Sequence, residues 1–141
     1  MKLAIAIAGI ALVAAVPAAA QTACKPEPKA ACEKASMRGA RLAGMDLSGA
    51  NFGGANLQNV RASGANFSKA NLQGADFDSA DLSKADFSGA DLRSANLTGA
   101  EVAGAKWDGA NLSGAMFPAG RGSYGDAQAR RCGDGSIGAC K

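Results

Sequence analysis

The chain has 141 residues, 48% of them hydrophobic but only 5% aromatic, with 19 glycines, no histidine and a formal net charge of +3. An apolar fraction made largely of alanine methyl groups cannot fill the thick interior of a layered domain, and without histidine the histidine-dependent forms of nucleophilic and zinc chemistry are excluded. The small positive excess is unevenly placed, lying in the two flanks of the chain, but neither flank is a polybasic tail, whereas a nucleic-acid surface needs a concentrated basic stripe.

The first predicted element, residues 1–20, is a secretory signal peptide. Lys2 supplies the positive start, residues 3–16 are an uninterrupted apolar run, and Pro17 leads into Ala18, Ala19 and Ala20, an A-x-A cleavage site. A spanning helix needs about 20 strongly apolar residues, and this run is about half alanine and is stopped by proline. Cleavage after Ala20 therefore predicts a periplasmic or secreted mature chain of residues 21–141 with no membrane span. Residues 21–39 follow as an N-terminal flank that contains Cys24 and Cys32.

From residue 40 to residue 119 the sequence falls into sixteen five-residue units without an insertion, among them ANLQG, ADFSG and ANLTG. Alanine holds the first position in fourteen units, with Met45 and Val60 the exceptions. A Leu, Phe, Val or Trp holds the third in fifteen, with Ala62 the exception. The second position is mostly Asn or Asp, and the fifth is Gly in ten units. Two degenerate units, AACEK and ASMRG, extend the pattern back toward Ala30. An alanine-rich helix does not explain this: five residues advance a helix by about 140° beyond a full turn, which smears the apolar positions around the cylinder, and each interior glycine costs it about 1 kcal/mol.

These units resemble the A-(D/N)-L-x-x repeat of the pentapeptide-repeat proteins. The resemblance implies an all-β fold, a right-handed quadrilateral β-helix of about four coils in which four units make one coil. In an extended segment positions one and three point to the same side, so Ala and Leu/Phe line the lumen while Asn and Asp face water, and positions four and five make the corner. Residues 20 apart then stack. The third-position columns are Leu42, Ala62, Leu82 and Val102; Leu47, Phe67, Phe87 and Trp107; Phe52, Leu72, Leu92 and Leu112; and Leu57, Phe77, Leu97 and Phe117. Charged second positions stack too, Arg61 against Asp81 and Asp86 against Lys106, at a spacing suited to cross-strand ion pairs.

Residues 120–141 form the predicted C-terminal cap, with Cys132 and Cys140. Ile137 and Tyr124 are its apolar residues that could cover Trp107 and Phe117 in the last coil. Four cysteines in an exported chain read as two disulfides. The local connectivity, Cys24 with Cys32 and Cys132 with Cys140, is favoured because bridged Cα atoms lie within about 7 Å and the two flanks leave opposite ends of the rod; a tail folding back would permit the others.

Chemistry is sparse. Ser48, Ser68 and Ser88 form an outward column with no histidine to activate them. Asp76, Asp78, Asp81, Asp86 and Asp91 cluster in the linear sequence, but the coil disperses them onto different faces. The compact pair Asp76 and Asp78, even helped by Asn56 or Asn96, falls short of the six to eight oxygens that calcium takes. No catalysis, cofactor, metal or nucleic acid is expected. The leading reading is an exported structural or protein-interaction module of the bacterial cell envelope with a protein or glycan partner. The alternative is enzyme inhibition by molecular mimicry: the resemblance brings in cytoplasmic relatives that imitate the shape and charge of DNA and bind DNA gyrase. That needs an extended acidic face, whereas residues 40–119 carry six Lys/Arg against eight Asp/Glu. Capped ends favour a monomer.

Overall fold

A unit of five residues has room for one extended step and one turn. The computed structural model, which describes residues 24–117 and 136–137, repeats that pattern from end to end. Parallel bridges join residues 20 apart and give four faces. The first face carries the rungs Ala31, Asn51, Asn71, Asp91 and Asn111, and the second Ser36, Asn56, Asp76, Asn96 and Met116. The third carries Arg41, Arg61, Asp81 and Glu101, and the fourth Asp46, Asn66, Asp86 and Lys106. Each interior rung is held on both sides, as at the fourth face, where the Phe67 N–H donates to the Asp86 carbonyl at 2.7 Å and the Asp86 N–H to the Ala65 carbonyl at 2.9 Å.

The corners are turns closed by the alanine of the next unit, as where the Ala70 N–H donates to the Phe67 carbonyl at 3.0 Å. The residue before that alanine has positive φ, the mark of a type II turn. Lysine takes this left-handed position at Lys69 (φ 58°) and Lys84 (φ 60°), where a side chain is disfavoured. The next coil gives the stem room with a glycine: a Cβ added at Gly104 would lie 3.4 Å from Lys84 Cγ, and one at Gly89 would lie 3.6 Å from Lys69 Cγ. The lysine stems thus lie along the rod over bare corners.

Inside, the third-position side chains stack in the four expected columns. Phe67, Phe77 and Phe87 are fully buried. Phe87 lies face to face with Phe67 at 5.2 Å and with Trp107 at 4.6 Å, and meets Phe77 edge-on at 6.2 Å. The two irregular positions of the unit VRASG, Val60 and Ala62, are both fully buried. The extra volume at position one therefore accompanies the missing volume at position three on the same lumen wall.

The ends differ from the sequence boundaries. Bridging starts at Ala31, inside residues 21–39, which the sequence assigns to a separate flank. The degenerate units belong to the ladder because Cys32 and Met37 take third-position slots, Cys32 buried and Met37 partly so against the core. Cys24 and Cys32 are disulfide-bonded, with Cα atoms 5.2 Å apart, so this bridge ties the chain entry directly into the first coil. At the other end β1 (Ala110–Asn111) pairs antiparallel with β2 (Ser136–Ile137), Ala110 opposite Ile137 and Asn111 opposite Ser136. Part of the tail is thus added to the last rung of the first face. Tyr124, Cys132 and Cys140 lie outside the described residues.

Candidate functional site

The outward surface of this solenoid is built from second positions, and most of them have a structural duty. In all eleven units where that residue is Asn or Asp, from Asp46 to Asn111, its side-chain oxygen accepts the N–H two residues on, which the turn leaves unpaired. Such Asx turns are the reason short polar side chains suit turn entries. Sequence reasoning assigned these residues only to solvent. The available signal was their shortness: Asn and Asp exchange freely at the second position, while Gln never appears there and Glu only at 101.

The same side chains also bond along the rod. On the first face Asn71 Nδ2 donates to Asn51 Oδ1 at 2.9 Å. On the second, Asp76 accepts from Asn96 Nδ2 at 2.9 Å and from Gln58 Nε2 at 2.6 Å. On the fourth, Asn66 Nδ2 donates to Asp46 Oδ1 at 3.3 Å. Amides therefore occupy the Asp76 carboxylate that the calcium reading would need, and Asp81, Asp86 and Asp91 fall on the third, fourth and first faces. Among the described residues no group of three or more metal-ligating side chains forms, and no helix is long and apolar enough to cross a membrane. Ser48, Ser68 and Ser88 are half-buried corner residues whose N–H groups are held by Asp46, Asn66 and Asp86.

The third face departs from this pattern. Its second positions read Arg41, Arg61, Asp81 and Glu101, so three of its four rungs give up the Asx turn. Arg41, Arg61 and Glu101 are exposed and Asp81 is half-buried. The flanking fourth positions, Ala43, Ser63, Ser83 and Ala103, are small, and Ser63 and Ser83 are joined Oγ to Oγ at 3.1 Å. The ion pair expected between Arg61 and Asp81 does not form, nor does that between Asp86 and Lys106. The pairs present among the described residues are Lys25–Glu27 and Asp91–Arg93, at 3.2 and 2.7 Å. Asp81 and Asp86 instead accept from the N–H groups of Ser83 and Ser88 in their own units, 3.1 and 2.9 Å away.

The cap also sets the acid response. Hydrogen bonds from Ser88, with a smaller contribution from the Lys106 charge, hold the Asp86 carboxyl below its ordinary value of 3.8 against the opposing effect of burial. A folded-state pKa that is lowered contributes stability above the unfolded value and loses it as pH falls through the folded one. Asp86→Asn keeps the capping oxygen but cannot titrate. In thermal melts followed by circular dichroism, the wild type should lose more stability than Asp86→Asn as pH falls below 3.8; equal losses would contradict the assignment.

Comparison with known proteins agrees with the repeat. The family model described as pentapeptide repeats matches in eight copies over residues 29–61, 63–99 and 95–118, more than half of the chain. No curated protein matches. Among solved structures, a pentapeptide repeat protein of the Arabidopsis thaliana thylakoid lumen is 34% identical, with 60% of this chain and 63% of that one covered and a TM-score of 0.43. A pentapeptide repeat protein from the cyanobacterium Cyanothece is 29% identical over 60% and 61% of the two chains, with a TM-score of 0.43. HetL, a Nostoc protein involved in heterocyst differentiation regulation, is 32% identical over 66% and 49%, with a TM-score of 0.34. The chain spans less than two thirds of the length of each.

Proposed function

The chain belongs to the pentapeptide-repeat family, and from that premise we propose that it is an exported, non-catalytic interaction module of the bacterial cell envelope. In this reading it is a right-handed quadrilateral β-helix that presents its third face to a protein or glycan. The observation that carries the reading is the third face itself, where three Asx turns are absent and charged side chains stand outward. Asx turns and amide ladders favour the fold, and their replacement by Arg41, Arg61 and Glu101 favours a surface.

Export is supported by the sequence of residues 1–20 and by the Cys24–Cys32 disulfide, a bond that persists in oxidising compartments. Mimicry of DNA suits this rod poorly. A DNA-like surface needs unbroken negative charge, and Arg41, Arg61, Lys69 and Lys84 are all exposed.

A fusion of residues 1–30 to a reporter active only outside the cytoplasm tests the compartment. The fusion should be active, and the full protein recovered from that compartment should give a Cys132–Cys140 peptide under non-reducing digestion. A silent reporter would overturn the envelope reading.

A further inference from the structure

We infer that the third face is a self-complementary docking surface whose partner is a second copy of this chain, lying antiparallel and side by side with the first. This inference rests on the reading of the third face as an interaction surface and names its occupant.

The order of charges carries the argument. Arg41, Arg61, Asp81 and Glu101 are successive bridge partners, so along the rod the face reads plus, plus, minus, minus. Neighbouring rungs lie about 4.8 Å apart. Within one chain this order is unfavourable, because Arg41 stands beside Arg61 and Asp81 beside Glu101, and like charges directly opposite on neighbouring strands are destabilising. An alternating order would pair every rung. The mixed pair that does exist, Arg61 with Asp81, forms no ion pair, and Asp81 caps its turn through Oδ1 alone, which accepts from the Ser83 N–H and Oγ, so that Oδ2 is left for a partner. The intramolecular fold therefore gives no reason for this sequence of charges.

A two-fold axis between the second and third rungs supplies one. Rotation by 180° sets Arg41 against Glu101 of the second copy and Arg61 against its Asp81, and symmetry repeats both contacts, as in any isologous interface. All four rungs are then matched. The fourth positions beside the stripe, Ala43, Ser63, Ser83 and Ala103, are small, and Lys84, the one charged fifth position on this face, carries its stem along the rod over Gly104. The other three faces carry mainly Asn and Asp rungs tied to their own turns and coils, and none is balanced about its middle: the fourth, which ends on Lys106, reads minus, neutral, minus, plus. The stripe spans about three rung spacings, or about 14 Å, and its four charged side chains are far fewer than the roughly 20–30 residues a side of a stable interface. The association is accordingly weak, governed by charge and sensitive to salt.

The test is sedimentation velocity over a concentration series, in low and high salt, on protein purified from cells expressing the full chain. Wild type should dimerise reversibly at low salt and dissociate at high salt. Arg41→Glu/Arg61→Glu, which removes no Asx turn, should weaken self-association at least tenfold, as should Asp81→Arg/Glu101→Arg. An equimolar mixture of the two variants should associate again, with unchanged circular dichroism confirming that each is folded. Wild type that stays monomeric at low salt, or variants that associate as wild type does, would overturn the proposal. Loss in the Arg variant of an envelope cross-link to a different protein, with wild type monomeric, would replace the second copy by that protein and leave the interaction-module reading intact.

Discussion

Phe87→Ala should lower the stability of the solenoid by about 3–5 kcal/mol, the range for removing a buried aromatic ring. Phe87 is fully buried and meets three other rings: Phe67, Phe77 and Trp107. Two of these contacts run along the rod, so the side chain belongs to the coupling between successive coils, and in a repeat protein that coupling makes the array cooperative. The expected signature is therefore a loss of coincidence as well as a lower midpoint. Trp107 is the single tryptophan in the chain, and its emission should change at lower denaturant concentration than the circular dichroism of the rod as a whole. Phe52→Ala is the matched control. Phe52 is equally buried but has one ring partner, Phe67, edge-on at 6.0 Å, so its cost should fall at the lower end of the same range. Equal costs for the two variants, or a Phe87→Ala protein within about 1 kcal/mol of wild type, would refute this account of the lumen.

The lumen was legible in the sequence because a period of five residues combined with four-sided closure leaves little freedom: once Leu and Phe recur at the third position, the columns 20 residues apart follow. The placement of Phe67, Phe87 and Trp107 in one stack required no more than that. The N-terminal boundary was less legible, since Cys32 and Met37 do not resemble the Leu/Phe consensus although both fill its slot. Two further features depend on backbone geometry that composition does not reveal. The lysines at left-handed corners, Lys69 and Lys84, are readable only when each is paired with the glycine 20 residues on. The Asx turns look like solubility until the carboxamide or carboxylate oxygen is seen to accept the N–H two residues later.

The same distinction separates structural from functional charge on the surface. Asp46, Asp76, Asp86 and Asp91 are acidic residues used as caps, and Asn serves equally well in the homologous positions of neighbouring units. Their clustering in the sequence therefore says little about a ligand. Arg41, Arg61 and Glu101 cannot make that cap, and their presence is informative because it replaces an interaction that other units retain. A position where a repeat departs from its own local rule is where selection for the fold alone has been set aside.

The unit VRASG departs from the rule on the inside, and there the departure is self-correcting. Val60 and Ala62 are two residues apart in an extended segment, point to the same side and are both fully buried. Ala62 leaves a shortage between Leu42 and Leu82 in its column, while Val60 brings an excess between Ala40 and Ala80. Restoring the consensus one residue at a time should therefore be harmful. Val60→Ala removes two buried methyl groups and should cost about 2 kcal/mol, and Ala62→Leu forces a larger side chain into a filled lumen for about 1–3 kcal/mol. Together they recreate an ordinary Ala-x-Leu unit, and the double variant should fall within about 1 kcal/mol of wild type. Chemical denaturation of the four proteins gives the coupling energy of the cycle directly. Compensation requires the double variant to be more stable than Ala62→Leu alone; additive costs would mean that Val60 and Ala62 fill independent spaces and that each coil wall tolerates its volume error separately.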